Sequence, residues 1–193
     1  PAPPSSARTP GGVRRLAGNG QRFPSDLTVH HAGTQQSITG AQRYRSWQNW
    51  HMDGQDWPDL AYHVIIGVDG AIYEGRDPAY RGDTGTSYDT TGHFQVVVEG
   101  NFEVDRPTPA QLDSLAAVLA WAAERFGASP GTISGHRDHA ATLCPGRHLE
   151  DRLDTAVEEL VPPGDFLGGA GRQRPALAVR VEIPGPPVPG RMQ

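Results

Sequence analysis

The stretch from Tyr62 to Glu74 does most to limit what this chain can become. His63-Val64-Ile65-Ile66 is β-branched and nearly all apolar, which reads as a strand over Tyr62 to Val68. Asp69-Gly70 is a tight turn, and Ala71-Ile72-Tyr73-Glu74 pairs back on the first run as a hairpin. A hairpin alone does not make a core, so the rest of the chain must cover it.

The remaining patterns alternate around the hairpin. Asp26 to His30 is a short strand signal, and Ser37 to about Trp50 reads as a helix with Ser37 as a candidate N-cap. Phe94 to Val98 is another buried strand. Thr108-Pro109-Ala110-Gln111 opens a helix with a cap, a proline in the first turn, and Gln three residues after the cap. Leu112, Leu115, Ala116, Leu119, Ala122, Ala123 and Phe126 keep helical spacing until Gly127 stops it. Thr132-Ile133-Ser134 is a short strand, and Leu149, Leu153, Ala156, Val157 and Leu160 mark a last amphipathic helix. This order predicts an α/β fold: a mixed central β-sheet flanked by helices on both faces.

Length and composition set the boundaries. The 193 residues suffice for one domain with a core plus some tail. Gly and Pro cluster at the ends, so residues 1–19 read as a disordered linker and 163–193 as a mostly disordered tail, leaving a domain at 20–162. Within the tail, Ala176 to Val181 is compatible with one strand. The opening Pro1-Ala2-Pro3-Pro4-Ser5-Ser6-Ala7 resembles a linker that follows a removed secretion signal. The net charge of −5 argues against nucleic acid as a partner. No apolar run approaches the ~20 residues needed to span a bilayer.

The chemistry concentrates in Gly135-His136-Arg137-Asp138-His139-Ala140-Ala141-Thr142-Leu143-Cys144-Pro145-Gly146. Cys144 is the only cysteine, so it has no internal disulfide partner, and it lies eight residues after His136. Cysteine and histidine are preferred ligands of Zn²⁺. Two more histidines stand upstream in Val29-His30-His31-Ala32-Gly33-Thr34. Two histidines and one thiolate fill three tetrahedral positions and leave the fourth open, as in catalytic zinc sites. Neighbouring strand residues face opposite sides, so His30 and His31 do not easily serve together. His139 competes with His136, and their one-turn spacing would allow both to bind one metal.

The motifs together resemble the type 2 N-acetylmuramoyl-L-alanine amidase and peptidoglycan recognition protein family. They are His-His-x-Gly-Thr after a strand, Tyr62-His63 before Val-Ile-Ile, Asp69-Gly70-x-Ile72-Tyr73-Glu74-Gly75-Arg76, and Gly-His-Arg-Asp followed by Cys-Pro-Gly. The resemblance covers nearly the whole expected domain. It implies a zinc enzyme that cuts the amide between N-acetylmuramic acid and L-alanine of peptidoglycan. It implies His30, His136 and Cys144 as metal ligands at one end of the sheet. It also implies Tyr62 as a catalytic hydroxyl and Thr142 as a second one, where some phage members carry lysine. Some bacterial members carry a glutamate where this chain has Val97. Many members read Gly-Ala-His where this chain reads Gly82-Asp83-Thr84. His31, His63 and Arg76 are the candidates to line the groove and touch sugar or peptide carboxylate.

The expected protein is thus a secreted, bacterial, monomeric enzyme of the cell wall, with Zn²⁺ as cofactor and peptidoglycan as partner. A non-catalytic peptidoglycan-binding module is the alternative, and Cys144 weighs against it because such members typically lack the cysteine. A cysteine–histidine nucleophilic hydrolase is a third reading, which requires a free Cys144.

Overall fold

The computed structural model describes residues 24–35 and 40–160. The expected linker at 1–19, the Ser37 cap and the tail from 163 with its 176–181 strand lie outside the described residues.

Five strands form one sheet in the order β3-β2-β4-β1-β5. They are β1 (Asp26–His31), β2 (Val64–Ile66), β3 (Ile72–Glu74), β4 (His93–Val98) and β5 (Ile133–Gly135). β1, β2, β4 and β5 pair in parallel, while β3 returns antiparallel on β2 with Val64 opposite Glu74 and Ile66 opposite Ile72. The turn between them closes through Gly70 N donating to Gly67 O, with Gly70 at φ 80°. The sheet is therefore mixed, as the hairpin and the alternating pattern predict.

The side-chain period of two splits each strand between two layers. Leu27, Val29, Ile66, Phe94, Val96 and Val98 face one side. There they meet Leu115, Val118, Leu119 and Ala122 of α2 (Pro109–Phe126) and Leu149 and Leu153 of α3 (Arg147–Leu160). Ile65 and Val97 face the other side, against Tyr44 of α1 (Ala41–Asn49) and against Leu60 in the loop before β2. Each fully buried Leu, Ile, Val or Phe stabilises the fold by about 1.5–3 kcal/mol relative to exposure.

α2 is bounded by the local signals its sequence carries. Thr108 Oγ1 accepts from Gln111 N at 3.1 Å and Gln111 Oε1 accepts from Thr108 N at 3.0 Å. Gly127 ends the helix in the left-handed region at φ 68°. The Gln111 amide also donates to Glu99 O at 2.8 Å, which ties the start of α2 to the end of β4.

Two elements differ from expectation. The helix assigned to Ser37–Trp50 is observed from Ala41 and runs on through a π-helical turn, Trp50–Gly54. The strand assigned to Tyr62–Val68 is regular only over Val64–Ile66. Before it, Gly75 N and Arg76 N bond the carbonyls of His63 and Tyr62, each at 2.8 Å, so the pairing continues without strand geometry. A side chain at Gly75 would run into the Tyr62 carbonyl, so the close approach requires glycine.

Candidate metal centre

The site lies where the parallel strands β1 and β5 end side by side. Val29 is in register with Gly135, so the next residues, His30 and His136, emerge level with each other. Their ring centroids are 4.6 Å apart. The alternation of β1 sends His30 to the α1 side of the sheet and His31 to the opposite side. There His31 Nδ1 accepts from Phe102 N at 3.2 Å.

The chain then returns through a loop built to deliver Cys144. Asp138 Oδ2 accepts from Gly135 N at 2.8 Å, and Arg137 donates to Leu143 O at 2.7 Å. Thr142 Oγ1 accepts from Cys144 N at 3.2 Å. Gly146, at φ 90°, lies so close to Phe102 and Glu103 that a Cβ would overlap their backbone. The result places Cys144 Sγ 3.7 Å from His30 Nδ1 and within reach of His31 N, which donates to it at 3.3 Å.

One ligand atom each from His30, His136 and Cys144 lies within 4.8 Å of the other two. Burial, reinforced by His136 and the other nearby imidazoles, drives the His30 pKa well below its ordinary value. Burial, with His139 and His31 behind it, lowers His136 to about 4. Both rings are therefore neutral near pH 7 and have a lone pair to offer. Burial pushes the Cys144 thiol up to about 12, so a thiolate there needs a compensating cation. Two neutral imidazoles and a thiol that ionises only against positive charge suit Zn²⁺.

Tyr62 lies beside this cluster, its ring centroid 5.2 Å from that of His30. Burial first, then the Cys144 sulfur, raises its pKa above the ordinary value, so the phenol keeps its proton. Thr142 stands in the Cys144 loop, two residues before the sulfur.

The groove candidates His63 and Arg76 are buried and hydrogen-bonded within the fold. His63 is only 2% exposed, and both ring nitrogens are engaged: Nδ1 accepts from Gln95 N at 2.8 Å and Nε2 donates to Tyr80 O at 2.9 Å. Its ring stacks on Phe94 at 5.2 Å. Arg76 is equally buried and donates to Arg81 O, Asp59 O and the Asp83 carboxylate at 2.6–2.8 Å. Both are interior groups that hold loops together, and half-buried His31 stands on the face away from His30. Val97 is fully buried among apolar neighbours, so no carboxylate stands there. Glu99 is fully buried too, paired with Arg43 at 2.7 Å and Tyr44 Oη at 2.5 Å.

Sequence reasoning missed Thr84, Thr86 and Tyr88, whose hydroxyls stand behind the two histidines. No periodicity marks this loop. The one available signal is the departure from Gly-Ala-His at Gly82-Asp83-Thr84.

A mixed α/β sheet with two histidines and a cysteine gathered at one end defines the class, an α/β fold with a candidate metal site. The chain belongs to the Amidase_2 family, N-acetylmuramoyl-L-alanine amidase, which matches residues 20–147. It is 35% identical over 131 residues to peptidoglycan-recognition protein SD of Drosophila simulans, spanning 66% of this chain and 69% of that one. It is 36% identical over 117 residues to the N-acetylmuramoyl-L-alanine amidase of Homo sapiens, covering 60% of this chain but only 20% of the human protein. The crystal structure of Drosophila peptidoglycan recognition protein SD superposes with a TM-score of 0.62 at 29% identity, over 68% of this chain and 79% of that one.

Proposed function

We propose that this protein is a zinc-dependent amidase that hydrolyses the bond between N-acetylmuramic acid and L-alanine in peptidoglycan. The observation that carries the reading is the convergence of His30, His136 and Cys144. Zinc held there would supply Lewis acidity toward water and the amide carbonyl.

The rest falls to the chain's own groups. Neutral His30 and His136 and the Cys144 sulfur form the holding set. The protonated Tyr62 hydroxyl donates a hydrogen bond to the oxygen that gains negative charge as water adds to the amide carbon. Thr142 contributes a weaker contact from the cysteine loop. The C–N bond then breaks, leaving a carboxylic acid on the muramic side and a free amine on alanine. On this reading the protein is exported and acts in or near the cell wall. Among the described residues no helix is long and apolar enough to cross a membrane.

The similarity to a peptidoglycan-recognition protein favours one second reading, binding without cleavage. Cys144 supports hydrolysis over it. Digestion of purified peptidoglycan with and without chelator, followed by mass analysis, separates the two. New N-terminal alanine that disappears with chelator supports the amidase. Retention on peptidoglycan with no released product supports the binding module.

A further inference from the structure

Both candidate histidine ligands turn their outer nitrogens to one loop. His136 Nε2 lies 2.7 Å from Thr86 Oγ1 and 3.4 Å from Thr84 Oγ1. The two threonine hydroxyls are 2.8 Å apart, and Thr86 N donates to Thr84 Oγ1 at 3.2 Å. His30 Nε2 lies 3.5 Å from Tyr88 Oη. All three hydroxyls therefore come from residues 84–88, between the hairpin and β4.

Tyr88 is itself fixed in place. With the Gln95 amide oriented to donate to Ala61 O at 2.8 Å and Asp83 O at 3.2 Å, its oxygen accepts from Tyr88 Oη at 3.0 Å. The Tyr88 ring stacks on His139 at 5.2 Å, and His139 Nε2 is 2.8 Å from Ser134 Oγ. The directions are mutually consistent. Gln95 accepts a hydrogen bond from Tyr88 Oη–H, which leaves a lone pair on Tyr88 Oη for His30 Nε2–H. Thr86 donates to Thr84 and keeps a lone pair for His136 Nε2–H.

A neutral imidazole has one N–H and one bare nitrogen. Committing Nε2–H to a hydroxyl leaves Nδ1 bare. Nδ1 of His30 is the atom that lies 3.7 Å from Cys144 Sγ. We propose that residues 84–88 are the outer shell of the metal centre: Thr86 and Tyr88 accept from the Nε2–H groups of His136 and His30 and so hold both rings with Nδ1 toward the ion. These are positioning residues, since they touch the ligands and not the substrate. The inference rests on the metal centre proposed above.

The test is zinc affinity of the full chain, measured by competition with a chromophoric chelator. Thr86→Val keeps the shape and loses the acceptor; its zinc affinity should fall by about 10- to 100-fold, the usual effect of removing such a partner. Thr86→Ser should restore near wild-type affinity. Tyr88→Phe should weaken binding less, because its contact is longer. The metal-free melting temperature of Thr86→Val should stay near that of the metal-free wild type. Equal zinc affinity in Thr86→Val and wild type overturns the proposal. So does a Thr86→Val protein that is destabilised without metal and whose zinc affinity Thr86→Ser does not rescue, since Thr86 would then be a packing residue. A wild-type chain that binds no zinc removes the metal centre itself, and this inference with it.

Discussion

Cys144 Sγ lies 3.7 Å from His30 Nδ1, across 114 positions of sequence. Neither residue is placed by its neighbours in the chain alone. His30 is fixed by the pairing of β1 with β4 and β5, and Cys144 by a loop that Arg137, Asp138 and Gly146 hold against the sheet end.

That proximity predicts a metal stoichiometry. Purified protein should carry close to one zinc per chain by elemental analysis. Cys144→Ala should lose most of it and most hydrolysis. A variant that keeps full zinc and full activity would remove Cys144 from the site.

Tyr62→Phe removes one hydroxyl and keeps the ring beside His30. Zinc content and melting temperature should stay normal, while turnover of a muropeptide falls by roughly ten- to a thousandfold. Thr142→Val should cost less. Wild-type turnover in Tyr62→Phe would make Tyr62 a packing residue.

Stability should depend on pH through the buried histidines. Burial lowers the His63 pKa from 6.5 to about 4. Above pH 6.5 the ring is neutral in both folded and unfolded chains, so it contributes no slope. Between 6.5 and about 4 the unfolded chain binds a proton that the folded one refuses, and stability falls with pH by about 1.4 kcal/mol per unit. His51, also lowered to about 4 by burial and then Arg76, pushes the same way. Urea unfolding of metal-free protein at pH 7 and pH 5 should show the loss, with a shallower dependence in His63→Gln. Equal slopes in the two proteins would show that His63 is not responsible.

Gly146→Ala should damage fold and site together. The added Cβ meets the Phe102 and Glu103 backbone at a φ of 90° that alanine avoids. We expect a loss of about 2–4 kcal/mol in unfolding free energy and weaker zinc retention. A melting temperature unchanged from wild type would contradict the tight approach of this loop.

What the sequence alone determined is local or periodic. Thr108, Gln111 and Gly127 bound α2 because caps and left-handed turns act within a few residues. The two-residue period of β1 separates His30 from His31, and the lone cysteine eight residues after a histidine marks the loop that carries the candidate ligands. The strand patterns predict the layers because burial on each face follows the same period. Only the tertiary structure decided the rest. Arg76 becomes an interior group through acceptors supplied by Asp59, Arg81 and Asp83, all in irregular loops. His63 becomes an interior group when Gln95 and Tyr80 engage its two ring nitrogens. Thr86 and Tyr88 come to stand behind His136 and His30, 50 and 58 residues away. Such contacts depend on where loops return in space, and a hydrogen bond between distant side chains leaves no period in the chain that makes it.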